Sequence, residues 1–188
     1  MEGQTLRRKG IIVQPSIVLC GFMGCGKTTV GKVLARKLAW RFVDMDHFIE
    51  QRAGKTVSQI FDELGEPAFR AMEREAVRLL SSEPRLVIAT GGGVLTFPEN
   101  VEVFHKAGCP IILLDVTPEE VAHRLQGDTS RPLLNVPDRL EAIRQLYAKR
   151  LPLYHKAADL QVDAAKSPEM VAEVVTLSLK SNKFPLDG

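Results

Sequence analysis

Residues 21–28 read G-F-M-G-C-G-K-T, which sets Gly21, Gly26, Lys27 and Thr28 at the spacing G-x-x-x-x-G-K-[ST]. Glycines at these positions let successive backbone N–H groups turn inward on phosphate oxygens, aided by the N-terminus of a following helix. Lys27 supplies a mobile cation for β- and γ-phosphates, and the Thr28 hydroxyl can ligate magnesium. The pattern carries this meaning only between a strand and a helix. Here an apolar run, P-S-I-V-L-C at 15–20, precedes it, and Val30, Val33, Leu34 and Leu38 follow at helical spacing. The expected chemistry is binding of a nucleoside triphosphate with magnesium and transfer of its γ-phosphate. A dinucleotide fingerprint fits poorly, because Gly24-Cys25-Gly26 supplies G-x-G but Thr29 stands where the third glycine belongs.

Other residues could serve the acceptor of that phosphate. Asp44 and Asp46 end a short run, R-F-V-D at 41–44, and on an extended chain residues two apart point the same way. One carboxylate could hold the water shell of magnesium while the other meets a substrate hydroxyl. Gly91, Gly92 and Gly93 follow the apolar run R-L-V-I-A-T directly. Three glycines weaken folding through chain entropy, so they make sense where backbone must approach a ligand. Arg70, Glu73, Arg74 and Arg78 share a helical stretch; Arg70 reads equally as solvated charge or as a ligand for an anion. Arg131 lies in a loop rich in proline and glycine, where a basic side chain suits a lid. Arg124, seven residues earlier, ends a helix; surface charge is the plain alternative for both arginines. Cys25, inside the glycine-rich loop at a helix N-terminus, is expected to be an accessible thiol that ATP protects from alkylation.

The elements that must position these groups alternate. Strands are expected at 15–20, 41–44, 85–90, 110–116 and 160–162. Helices are expected at 27–39, 45–52, 57–64, 67–82, 98–107, 118–126 and 138–157, the last kinked or interrupted at Pro152, and beyond Ser167. Thr117-Pro118-Glu119-Glu120 reads as an N-cap, a first-turn proline and a capping-box glutamate, and Ser167-Pro168 repeats the logic. Apolar strands alternating with helices imply a parallel sheet covered on both faces, with ligands at the carboxyl ends of its strands. The glycine-rich loop, Asp44/Asp46 and the triple glycine all fall at such ends.

The bulk numbers exclude some classes. With 188 residues, 45% hydrophobic, 26% charged and a net charge of +2, the chain has no charge excess pointing to nucleic acid or membrane. Three cysteines, Cys20, Cys25 and Cys109, without metal spacing argue against a disulfide framework and for a reducing compartment, with Cys20 and Cys109 as core packing. The four histidines have no metal spacing either. Arg7, Arg8 and Lys9 precede no apolar stretch long enough for a signal peptide or membrane span, and residues 1–14 read as a frayed start. The expected organisation is an extension over 1–14, one domain over 15–180 and a loose tail over 181–188. The domain divides into a core (15–44 and 85–126), a substrate-binding region (45–82) and a lid (127–137).

Taken together, the chain resembles the shikimate kinase family over most of residues 16–163. The resemblance rests on G-F-M-G-C-G-K-T at 21–28, D-M-D at 44–46, G-E-P-A-F-R-A-M-E at 65–73 and G-G-G at 91–93. R-P-L-L at 131–134 and R-L-P-L-Y at 150–154, followed by Ala158-Asp159, complete it. It implies a three-layer P-loop kinase fold whose five-stranded parallel sheet has the order 2-3-1-4-5, with a substrate-binding helical region and a lid loop. It further implies phosphorylation of the 3-hydroxyl of shikimate by ATP with Mg²⁺. Beside it, the cysteine usage and charge balance lead us to expect a cytoplasmic protein with neither nucleic-acid nor membrane partner, and a monomer. Nucleotide contacts are then expected at Gly24, Cys25, Gly26, Lys27, Thr28 and Thr29, with Arg124 against adenine and Arg131 reaching the phosphates. Thr28 and Asp44 would serve the metal. Asp46 would bind the shikimate hydroxyls and accept a proton, and Arg70 and Arg150 would clasp the carboxylate with Glu73 orienting that arginine site. The backbone of Gly91, Gly92 and Gly93 would meet the ring. Rival readings are a gluconate or nucleoside monophosphate kinase, which would need other residues at 44–46, 70 and 91–93, and a non-catalytic binding module.

Overall fold

The computed structural model describes residues 7–8, 11–12, 14–127, 136–184 and 186. Five strands form one parallel sheet: β3 (Ile17–Cys20), β4 (Arg41–Asp44), β5 (Leu86–Ala89), β6 (Ile111–Asp115) and β7 (Leu160–Asp163). Their spatial order is β4-β5-β3-β6-β7, which is 2-3-1-4-5 in chain order, as the resemblance implies. The three central strands are apolar on both faces because helices cover both. Ile17, Val18, Leu19 and Cys20 are at most 1% exposed. Register is set by parallel pairs such as Leu19 with Ala89 and with Ile112. A buried hydroxyl ties the start of this centre together: Ser16 donates to Glu83 O at 2.6 Å and accepts from Leu86 N at 2.9 Å.

The helices are α1 (Lys27–Leu38), α2 (Met45–Ala53), α3 (Val57–Ser81), α4 (Pro98–Lys106), α5 (Pro118–Arg124), α6 (Arg139–Ala157) and α7 (Pro168–Ser181). α1 packs on α7, whereas α3 packs on α4 and α6 reaches both through the 3₁₀ turn Val94–Thr96. Thr117 and Ser167 cap α5 and α7 as expected, accepting from Glu120 N and Met170 N. The reciprocal half of the box at Thr117 is not made, since the Glu120 carboxylate turns to Arg124 Nε at 2.7 Å. A complete box stands instead at Thr56 and Gln59, opening α3.

The two helices expected at 57–64 and 67–82 are borne out: α3 is broken between them at Gly65, whose φ of 79° and ψ of 169° leave helical geometry and suit glycine. The break also accommodates Pro67, which falls in the first turn of the resumed helix, where a missing N–H removes nothing. Other expectations need correction. Pro152 does not interrupt α6, which continues to Ala157 because Tyr154 and Ala157 beyond the proline are buried in the core. The start is not merely frayed: Arg7–Arg8 (β1) pairs antiparallel with Ile11–Ile12 (β2). Nor is the described part of the tail loose, because Phe184 packs on the core and its N–H donates to Leu179 O at 3.0 Å.

Candidate functional site

The glycine-rich loop leaves the carboxyl end of the central strand β3 and enters α1 at its N-terminus. Its path is set by space. A Cβ on Gly21 would lie 2.4 Å from Leu114 O of the neighbouring strand, so no side chain fits there. Gly26 caps α1 in the left-handed region, φ 101° and ψ 13°, which frees the first helical N–H groups toward the loop's concave side. Lys27 Nζ rests across this loop, donating to Gly21 O at 2.8 Å and Phe22 O at 3.0 Å. Thr28 Oγ1 donates to Asp44 Oδ2 at 2.9 Å. One hydroxyl and one carboxylate are thus held together at the mouth of the loop. Mg²⁺ suits such a sparse protein donor set, since it keeps several waters and takes most other ligands from phosphates. Among the described residues no cluster of three or more His, Cys, Asp or Glu could hold a metal by itself.

Asp44 and Asp46 do not point the same way, contrary to the extended-chain expectation. The chain turns helical at Met45, so Asp44 becomes the N-cap of α2, accepting from His47 N, while Asp46 lies in the first turn. Helical rotation sends the two carboxylates to different places. Asp44 faces Thr28, and Asp46 faces the triple glycine, where a Cβ on Gly91 would come within 2.7 Å of its Oδ1.

The triple glycine is the floor of a second chamber, and each of its glycines leaves room for one polar side chain. Gly91 makes room for Asp46. A Cβ on Gly92 would stand 3.3 Å from Arg150 Nη1, and one on Gly93 would stand 2.7 Å from Arg70 Nη1. Arg70, from the resumed half of α3, lies against the rings of Phe69 and Phe97, at 5.6 and 5.4 Å from their centroids. Its Nη1 donates to Glu73 Oε2 at 2.7 Å, and its Nε and Nη2 donate to Glu66 Oε1 at 3.0 and 2.8 Å. Partial desolvation acts to lower the Arg70 pKa, but these carboxylates more than reverse it and hold it above its ordinary value. Glu73 is 2% exposed, and burial pushes its carboxyl above the usual range against the pull of Arg70.

Two groups that the sequence did not assign complete the frame. Tyr154 Oη donates to Gly92 O at 2.6 Å, fastening α6, and with it Arg150, to the glycine floor. Burial lifts its hydroxyl pKa to about 12, so it stays a donor. Tyr147 donates to Asp115, which also accepts from Gln161, and its ring meets Phe22 of the glycine-rich loop edge-on at 5.6 Å. The only prior signal was the position of Tyr154 inside R-L-P-L-Y. Arg124 spans three elements: Nη1 donates to Cys25 O at 3.3 Å, Nη2 to Ala164 O at 2.8 Å and Nε to Glu120. Gly24 packs against Leu125, and Thr29 is exposed on the first turn of α1. Cys25 is fully buried, so it is not the accessible thiol expected; its sulfur packs beneath the loop, 2.9 Å from where a Gly21 Cβ would stand. Cys20 and Cys109 are buried as expected. Arg131, and with it most of the expected lid, lies outside the described residues.

A phosphate loop entering a helix beside a five-stranded sheet of this order, with an arginine-walled chamber next to it, defines a P-loop kinase architecture. Known proteins narrow the class. The family model "Shikimate kinase" matches residues 23–180. The shikimate kinase of Thermodesulfovibrio yellowstonii is 45% identical over 161 residues, covering 85% of this chain and 92% of that protein. That of Geobacter sulfurreducens is 44% identical over 86% of this chain and 89% of its own length. Among solved structures, shikimate kinase from Acinetobacter baumannii in complex with shikimate superposes with a TM-score of 0.84. It is 37% identical, with 92% of this chain and 96% of that one covered. A deoxyadenosine kinase at 16% identity and TM-score 0.53 shares the fold alone. The chain belongs to the shikimate kinase family.

Proposed function

We propose that this protein transfers the γ-phosphate of ATP to the 3-hydroxyl of shikimate, giving shikimate 3-phosphate and ADP for the biosynthesis of chorismate and the aromatic amino acids. The observation that carries this reading is the convergence of Asp46, Arg150 and Arg70 on Gly91, Gly92 and Gly93, beside the Lys27 loop. A small trihydroxy acid needs a planar cation for its carboxylate and a carboxylate acceptor for a hydroxyl, and that chamber offers both.

In this mechanism Lys27 exchanges its hold on the Gly21 and Phe22 carbonyls for the β- and γ-phosphates, which the loop N–H groups surround. Mg²⁺, when bound, supplies charge neutralisation across the phosphates, with Thr28 as its protein ligand and Asp44 on its water shell. Arg70 and Arg150 anchor the carboxylate, and Glu73 fixes Arg70. Asp46 orients the 3-hydroxyl and takes its proton as the oxygen attacks phosphorus. Arg124 flanks the adenine, and Arg131 supplies lid charge to the transferring group. Catalysis is then mostly positioning and electrostatic stabilisation.

No helix among the described residues is long and apolar enough to cross a membrane; we place the enzyme in the cytoplasm as a monomer. A coupled ADP-release assay comparing shikimate, gluconate and AMP as acceptors tests the reading. Turnover is expected with shikimate alone, and preference for either rival would overturn it.

A further inference from the structure

The two carboxylates on Arg70 differ in kind. Glu73 is 2% exposed and cannot leave without stranding a buried charge, whereas Glu66 is 60% exposed. Yet Glu66 holds the better-shaped edge of the guanidinium, the parallel Nε and Nη2 pair, through a single oxygen at 3.0 and 2.8 Å. The opposite edge is half committed, because Nη1 donates to Glu73 Oε2 at 2.7 Å. An incoming carboxylate that seeks paired donors on Arg70 therefore meets Glu66 in its place.

Position makes Glu66 displaceable. It directly follows Gly65, where the backbone leaves helical geometry, so it sits in the first turn of the resumed helix. A carboxylate released from Arg70 there still benefits from a helix N-terminus. Charge points the same way. Asp46, Glu66 and Glu73 set three negative groups against Arg70 and Arg150. A substrate carboxylate added beside all three raises that excess, whereas one that replaces Glu66 leaves it unchanged.

We propose that Glu66 is the resident occupant of the substrate-carboxylate subsite: it holds Arg70 when the chamber is empty and is displaced by the acceptor's carboxylate. Glu66 thereby sets both acceptor affinity and the preference for an acid over a neutral analogue. This rests on the reading that the acceptor is shikimate.

The test compares the full-length protein with E66Q and E66D, using shikimate and its methyl ester as acceptors. Glutamine is isosteric but a weak competitor for Arg70; aspartate keeps the charge but falls short of the guanidinium. Both variants are expected to lower KM for shikimate, by about fivefold, the scale of a partly exposed ion pair. KM for the methyl ester should move less than twofold, since a neutral group gains little from a vacated arginine edge. A KM for shikimate that is unmoved or raised in E66Q would overturn the proposal. So would an equal fall for acid and ester, which marks a loosened pocket, or a fall in E66Q with none in E66D, which marks distant charge. Absence of shikimate turnover by the unsubstituted protein would sink the functional reading itself; turnover with an unmoved KM sinks only the role of Glu66.

Discussion

The two chambers of this site are built on opposite plans. The donor chamber is made chiefly of neighbours in sequence: one loop and the helix it enters, joined by Asp44 from β4 and shaped by glycines that admit nothing at Gly21 and bend the backbone at Gly26. The acceptor chamber is made of strangers. Asp46 comes from α2, Arg70 and Glu73 from α3, the floor from the turn after β5, and Arg150 and Tyr154 from α6. In the proposed reading, backbone N–H groups and Lys27 would hold the phosphates in the first, and side-chain charges would hold the acceptor in the second. A contiguous loop tolerates change around it as long as its own path is kept, while an assembled chamber depends on every element that delivers a side chain.

Lys27→Met breaks the comparison hardest. It removes the cation that the glycine-rich loop itself carries, and kcat should fall by about 10²–10³-fold, the range for losing one preorganised electrostatic contact. Its melting temperature should stay near that of the parent, and near-normal turnover would refute the assignment. Arg150→Ala should weaken shikimate binding by about 2–5 kcal/mol, read by titration calorimetry, while ATP binding stays unchanged. Equal losses for both ligands would show that the chambers are not separable.

Gly93→Ala is a finer probe. Its methyl would stand 2.7 Å from Arg70 Nη1, the far end of a flexible chain, so the arginine moves rather than the backbone. KM for shikimate should rise roughly tenfold with little change in stability, given that misplacing a binding group matters steeply. Gly92→Ala, at 3.3 Å from Arg150, should do less. Tyr154→Phe is the smallest change: one hydrogen bond to Gly92 O is lost, worth about 1 kcal/mol, or a melting shift of about 2–4 °C. Because the folded hydroxyl is raised from 10.0 to about 12, its contribution is whole below pH 10 and fades as pH climbs through about 12. The deficit of the phenylalanine variant should therefore be flat across neutral pH.

The same contrast explains what could be read from the sequence. The donor loop was legible because its residues are adjacent, and the strand order followed once the family resemblance was in hand. Spacing alone misjudged Asp44 and Asp46, since one residue of strand gives way to helix between them and a helix rotates what a strand aligns. Arg70 stayed open because Glu66, Arg70 and Glu73 at three- and four-residue spacings look like any solvated helix face. Only Phe97 and Gly93, far off in the chain, turn that face inward. Cys25 misled for the reverse reason: a helix N-terminus suggests an activated thiol, but the approach of the loop to Leu114 leaves its sulfur no route to solvent.

The concealment of all three thiols has a practical consequence. A folded molecule offers an aromatic disulfide reagent nothing to react with, so every thiol released into colour counts an opening of the structure. Cys20 and Cys25 report on the central strand and its loop, and Cys109 on the approach to β6. Labelling rates followed by peptide mapping would give a clock for local unfolding at the sheet's centre, with no probe attached and no residue changed.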